Sequence, residues 1–232
     1  MNLLIIPARG GSKRIPKKNI KDFRGKPIIE IAIKKSKELQ LFDKIIVSTD
    51  DYEIAKISKN AGAEIPFIRP KEISGDYIPT REVILHAIKW YRNKNIDFNY
   101  ICCLYPTSIF VDKKDILSAI KLLKKTHENK YIFSATNYCH PIERSFSIDK
   151  KGIAHMNFPN KFNERSQDLE SAFHDAAQFY IAKTNTWLEK ENIFDDGVPL
   201  LIQKWKSIDI DTYEDWEMAE IIYDLKVNKK IE

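Results

Sequence analysis

Leu3 to Ile6 form an unbroken apolar run, the pattern of a strand covered on both faces. Behind it Ile28, Ile31, Lys35 and Leu39 keep helical spacing, with one lysine stem in the stripe and Pro27 at the first helical position. "KIIVSTD" (44–50) predicts a second strand, and "DYEIAKISKNAG" a helix closed by Gly62 in a left-handed cap. "EIPFI" predicts a short strand. Residues 80–93 form a helix with Val83, Ala87 and Trp90 on one face. "YICCLY" (100–105) is another buried strand. Asp112 caps a helix whose Ile116, Ile120 and Leu123 recur at helical spacing, and "YIFSAT" is the next strand. Strands and helices alternate throughout this stretch. The expected fold is therefore α/β: a Rossmann-like, mostly parallel sheet with helices on both faces.

The pattern changes at 137–175, which holds short strand-like pieces and polar turns but no long helix. This is expected to be an excursion from the main sheet, a lid or a dimerisation arm. "AAQFYIA" (176–182) returns to a core strand, followed by a short helix around Trp187 and a strand at 199–203. Thr212 caps the last helix, on which Trp216, Ala219 and Tyr223 share a face. No repeat, linker or low-complexity segment interrupts the pattern, so one domain over 1–232 with an inserted arm is expected.

Composition narrows the class. The chain is 43% hydrophobic and 31% charged, with a net charge of +5. That excess is too small to indicate a nucleic-acid partner by itself. No apolar stretch approaches a membrane span, and no signal-peptide pattern opens the chain, so a cytoplasmic protein is expected. Cys102 and Cys103 are adjacent and would face opposite sides of a strand. With Cys139 they are expected to be buried core thiols.

The charge matters where it clusters. "IIPARGGSKRIPKKN" places Arg9, Lys13, Arg14, Lys17 and Lys18 directly after the first strand. A turn with Gly10 and Gly11 lets backbone N–H groups approach phosphate oxygens. The loop matches neither the Walker A pattern nor G-x-G-x-x-G. Its five cations suit a triphosphate, at the strand end where open α/β sheets bind ligands. Near the other end, "SIDIDT" sets Asp209 and Asp211 two apart, so both carboxylates face one side of an extended segment. Such a pair suits a hard divalent cation such as Mg²⁺. One Asp capping the next helix, with the other solvated, is the competing explanation. Together the two elements point to nucleotidyl transfer.

"IIPARGGSKRIPKKNI", "FDKIIVSTDD", "FIRP" and "IDIDTYEDWEMAE" resemble, in this order, the cytidylyltransferases that activate nine-carbon 2-keto sugar acids (nonulosonic acids). The resemblance implies a homodimer whose arm reaches across to the partner, using CTP and Mg²⁺. It implies that Arg9 and Lys13 hold the CTP phosphates, with Gly10, Gly11 and Ser12 between them in the nucleotide site. Lys18 and Asn19 match positions at the nucleotide, Arg69 the arginine that reads cytosine, and Thr80 a small hydroxyl residue at the base. Asp209 and Asp211 match metal ligands. Arg9, Lys13 and Asp211 are the expected catalytic residues. The proton acceptor stays open between Asp211 and a water held by the cation.

Departures concern the sugar. Tyr105 stands where sialic acid synthetases of this type carry Gln, and His174 where they carry Arg; Arg165 matches an arm position that could meet the sugar carboxylate. "CCLYPTS" and "ERSQDLESAFHDAAQFY" point to pseudaminic acid, with legionaminic and sialic acids as alternatives. His174 is equally well explained as a packing histidine. A protein that binds a phosphate backbone without catalysis, and a glycosyltransferase with a metal-binding Asp-x-Asp, are the readings from other classes.

Overall fold

The computed structural model describes residues 1–126 and 129–227. Strand β1 (Asn2–Pro7) leads into two short paired strands, β2 (Asp22–Phe23) and β3 (Lys26–Pro27). Then come α1 (Ile28–Leu39), β4 (Lys44–Ser48), α2 (Tyr52–Asn60), α3 (Thr80–Arg92), β5 (Tyr100–Leu104), α4 (Lys113–Lys125) and β6 (Ile132–Asn137). β7 (Phe146–Ile148) and β8 (Ala154–Met156) form a separate hairpin. β9 (Phe173–Lys183), α5 (Thr184–Glu189), β10 (Val198–Leu201) and α6 (Tyr213–Val227) follow.

The main sheet has six strands in the order β10-β6-β9-β5-β1-β4. β1 pairs in parallel with β4 and β5, and β10 with β6. Only β9 is antiparallel, to both β5 and β6. Alternating side chains of β1 build two cores. Leu4 and Ile6 pack with Ile29 and Ile33 of α1, Ile54 of α2 and Ile116 of α4. Leu3 and Ile5 pack on the opposite face with Ile84 and Ile88 of α3 and Trp187 of α5. Cys102 and Cys103 divide between the same two cores. Burying each large aliphatic side chain contributes about 1.5–3 kcal/mol, so both faces of β1 favour the same layered arrangement.

Local chemistry sets the helix starts. Asp51 accepts from the backbone N–H groups of Glu53 and Ile54 to open α2. Asp112 and Asp115 form a reciprocal capping box on α4, and Thr212 and Asp215 exchange the same bonds at α6. Gly62, at φ +95°, turns the chain out of α2, a conformation in which a Cβ would be strained.

Four expectations change. "EIPFI" makes only a single bridge, Ile46 to Glu64, because Pro66 cannot donate to a ladder. Pro27 stands just before α1 with ψ 133°, flanking the first helical residue. The last strand spans Val198–Leu201, not 199–203. Cys139 is exposed, since it lies beyond the end of β6, where the chain leaves the sheet.

The excursion runs between β6 and β9, whose pairing extends to Asn137 opposite Phe173. It carries the β7–β8 hairpin, and Phe146, Ile148, Ile153 and Phe162 along it are exposed. Nearer the sheet, the β6–β9 register shifts: Phe133 pairs with Tyr180, but Ala135 with Asp175. β9 thus carries extra residues in a bulge around Ala177, which adopts φ +49°.

Candidate active site

The carboxyl ends of β1 and β5 open onto a cleft of about 390 Å³. Arg9, Ser12, Lys13, Arg14, Lys18 and Asn19 line it from the loop after β1. Arg69, Thr80 and Tyr105 line another part of the wall, and Asp209 and Asp211 enter from the segment before α6. Residues distant in sequence converge here because loops at one sheet edge share one crevice.

The basic loop is held by its own polar groups. Buried Asn19 donates through Nδ2 to the Arg9 carbonyl at 2.9 Å. The Gly10 N–H donates to Asp50 Oδ1 at 3.0 Å. A Cβ on Gly10 would lie 2.7 Å from Asp51 Oδ2, so only glycine lets this loop lie against the start of α2. Lys17 turns away, in the left-handed region at φ 53°, and pairs with Glu53 at 2.8 Å. Of the five cations in the motif, four line the cleft.

Those four are divided between two carboxylates. Asp76, from the loop before α3, pairs with both Arg9 and Lys13. The hydrogen bonds from Lys13 and then Arg9 hold its carboxyl below the usual carboxylate range. Asp211 pairs with Arg14 at 2.6 Å and with Lys18 at 3.3 Å, while the Lys18 ammonium also donates to the Ile210 carbonyl at 2.6 Å. Asp209 has no direct hydrogen-bonding or ionic partner among the described residues. Burial, and then the neighbouring Asp211 charge, raise its pKa. Ile210 between them is fully buried, which fixes both carboxylates on the cleft side.

This donor set suits a hard cation. Two acceptor-only carboxylates face one cleft, and one of them lacks a partner. No group of three or more His, Cys, Asp or Glu side chains able to hold a metal occurs among the described residues. An ion here would draw its other oxygen ligands from phosphate and water, as Mg²⁺ does.

Arg69 is only 4% exposed. Its Nε donates to Ser74 Oγ at 3.1 Å, and its guanidinium lies 3.8 Å from Asp50. Asp50 therefore contacts both the Arg69 side chain and the Gly10 amide, linking two walls of the cleft. Thr80 Oγ1 and the Tyr105 hydroxyl are 2.6 Å apart.

Gly10 and Gly11 lie beside the cleft without lining it, and Arg165 and His174 do not reach it. Arg165 is exposed in the excursion. The His174 ring lies on Tyr138, with Nδ1 2.8 Å from the Asp175 carbonyl. Arg14, named among the motif's five cations but given no role of its own, completes the site with Asp76 and Asp50, which were not singled out in sequence. Arg14 was visible inside the basic motif; Asp76 sits in a polar loop with no pattern of its own.

Comparison with known proteins meets this geometry. A cytidylyltransferase family model matches residues 3–229. The chain belongs to the cytidylyltransferase family. Among cytidylyltransferases, a pseudaminic acid cytidylyltransferase of Campylobacter jejuni is 40% identical over 228 residues, covering 98% of this chain and 97% of the relative. A CMP-N,N'-diacetyllegionaminic acid synthase of Legionella pneumophila is 29% identical, covering 96% of each. A solved CMP-2-keto-3-deoxy-manno-octonic acid synthetase, complexed with CTP, superposes with TM-score 0.70 at 12% identity over 97% of this chain and 99% of its own. That last likeness establishes a shared fold. No helix among the described residues of this cytidylyltransferase is long and apolar enough to cross a membrane.

Proposed function

We propose that the chain transfers CMP from CTP to the anomeric hydroxyl of a nonulosonic acid, pseudaminic acid, releasing pyrophosphate. The observation that carries this is the convergence of four cations and an aspartate pair on one cleft of a chain from this family. The sugar is taken from the pseudaminic acid relative, which is similar along nearly its whole length. The legionaminic acid relative makes that acid the rival substrate.

In the reaction, the sugar oxygen forms a bond to the α-phosphorus as the bond to the β-phosphate oxygen breaks. The electron pair leaves with pyrophosphate. Arg9 and Lys13 hold the phosphate oxygens on which charge grows, exchanging Asp76 for the substrate. Placement of fixed charge supplies most of the acceleration in such transfers. Asp209 and Asp211 would hold Mg²⁺, which when bound supplies charge neutralisation and Lewis acidity at phosphate oxygens. Asp211 also keeps Arg14 and Lys18 aimed at the same region, and it is within the acceptor set for the sugar proton. Arg69, braced by Ser74 and Asp50, reads the base with Thr80.

The exposed apolar side chains of the excursion support a homodimer built through it. Arg165 and His174 then serve the partner's cleft, outside the one formed by their own chain.

The test gives purified protein CTP, Mg²⁺ and each of pseudaminic, legionaminic and N-acetylneuraminic acids, and compares kcat/KM by pyrophosphate release. Pseudaminic acid is expected to be preferred and N-acetylneuraminic acid poorest. EDTA and Asp209→Ala should both abolish turnover without changing the circular dichroism spectrum. Turnover that survives both overturns the metal assignment; no pyrophosphate with any of the acids overturns the reaction.

A further inference from the structure

Arg9 and Lys13, the two cations that the proposed reaction assigns to the leaving phosphates, share one carboxylate. Asp76 Oδ1 accepts from Arg9 and Oδ2 pairs with Lys13, so the carboxylate spans both cations as a phosphoryl group would. Among the described residues its side chain has no other hydrogen-bonding or ionic partner. The segment that carries it is anchored at both ends and little packed between them. Ser74 Oγ donates to the Pro70 carbonyl at 2.8 Å and accepts from Arg69 Nε at 3.1 Å, and α3 begins at Thr80. Between these anchors Tyr77 is 98% exposed, and a Cβ on Gly75 would meet nothing nearer than Ile78 at 3.7 Å. Asp76 can therefore leave the two cations without disturbing a core.

A carboxylate in that place competes with every ligand that needs Arg9 and Lys13. It lowers the apparent affinity of each by one factor, the fraction of molecules in which the cations are free. CTP has further contacts, through its base and its α-phosphate, and stays bound in spite of that factor. Pyrophosphate has only its phosphoryl oxygens. Once the bond to the α-phosphorus is cut, the base no longer anchors it. A tethered carboxylate, at an effective concentration on the order of millimolar, then retakes both cations.

We propose that Asp76 is an internal competitor for the leaving-group half of the triphosphate. It withholds Arg9 and Lys13 from free pyrophosphate and displaces pyrophosphate after transfer, while a triphosphate anchored by its base still takes its place. This rests on the reading above, in which Arg9 and Lys13 hold the leaving phosphates of CTP. Competition has a signature of its own. Removing the carboxylate strengthens pyrophosphate and CTP by the same factor and leaves CMP, which has no leaving phosphates, unchanged. A carboxylate that only held Arg9 and Lys13 in position would, when removed, weaken pyrophosphate and CTP. A general gain of positive charge would strengthen all three.

The experiment titrates pyrophosphate, CTP and CMP by calorimetry, in buffer with Mg²⁺, into wild type, Asp76→Asn and Asp76→Ala, with thermal melts on each. Asp97→Asn, which removes an equal charge from an exposed ion pair with Arg92, is the charge control. Both Asp76 variants should bind pyrophosphate and CTP roughly 2- to 30-fold tighter, the scale of two partly exposed ion pairs. CMP should bind as before, and Asp97→Asn should match wild type. Inhibition of turnover by added pyrophosphate should strengthen by the same factor. Unchanged, weaker or undetectable pyrophosphate binding in the folded Asp76 variants overturns the competitor, as does equal tightening of CMP or an equal effect of Asp97→Asn. Pyrophosphate release from CTP and a sugar acid by wild type separates this from the reading it rests on. Where release is seen, a failed binding pattern removes the role of Asp76 alone. No release with any acid overturns the cytidylyl reading and the role of Asp76 with it. Either Asp76 variant decides the matter if the other does not fold.

Discussion

Arg9 stands where a buried strand meets solvent, its carbonyl tied by Asn19 and its guanidinium by Asp76. A donor held in advance of the reaction acts mainly on the transition state, so Arg9→Ala should lower kcat as well as kcat/KM, by about 10²-fold. Steady-state kinetics against CTP checks this; a change in KM alone would make Arg9 a docking residue. His86 offers a pH probe behind the same wall. Its ring stacks edge-on against Phe67 at 4.5 Å, and its Nδ1 is buried without a hydrogen-bond partner. Burial, then the charges of Arg69 and Lys89, lower its pKa below the usual 6.5. The unfolded chain thus takes up the proton first. The contribution of His86 to stability is present above 6.5 and lost as pH falls through the folded value. Melting temperature should drop as pH falls below 6.5, and His86→Phe should flatten that part of the profile. The basic motif and the aspartate pair were legible at this scale because their spacing is local. Asp76 was not, since only the fold brings it to the cleft.

At the scale of elements, α4 shows how much one residue can combine. Asp112 caps the helix and also pairs with Lys206, a lysine only 5% exposed, at 2.8 Å. Asp112→Ala removes the cap and half of the acidic neighbourhood of a buried ammonium, leaving Asp115. Stability should fall by about 1–2 kcal/mol, read as a lower urea midpoint with unchanged slope. The cap itself was readable from Asp112 followed by apolar positions at helical spacing. Its ionic role was not, because Lys206 lies in a turn far along the chain. The strands show a similar division. β1, β4, β5 and β6 announced themselves as apolar runs, and "EIPFI" carried the same composition. The proline inside it decided otherwise. Nothing in the alternation of β9 encodes its direction or the bulge at Ala177, which depend on how the chain returns from the excursion.

For the whole molecule, the excursion is the largest departure from a closed α/β layer. Phe146 is 57% and Phe162 63% exposed in the single chain, an apolar surface that association would remove from water. If the proposed homodimer forms through this surface, wild type should scatter light as a dimer and the double variant Phe146→Glu, Phe162→Glu as a monomer, with far-ultraviolet circular dichroism unchanged; a monomeric wild type overturns the dimer. An unaltered mass would move the contact elsewhere. The sheet order has a consequence for synthesis. β9 lies between β5 and β6, so those two strands, though successive in sequence, never touch. A nascent chain that has emerged only as far as the hairpin can assemble β4, β1 and β5, but β6 has no neighbour until Phe173–Lys183 appears. Until then an open edge of β5 and both edges of β6 stay exposed to other chains. The last strand to be inserted near the centre of the sheet therefore also ends the interval in which a ribosome-bound chain is most open to mispairing.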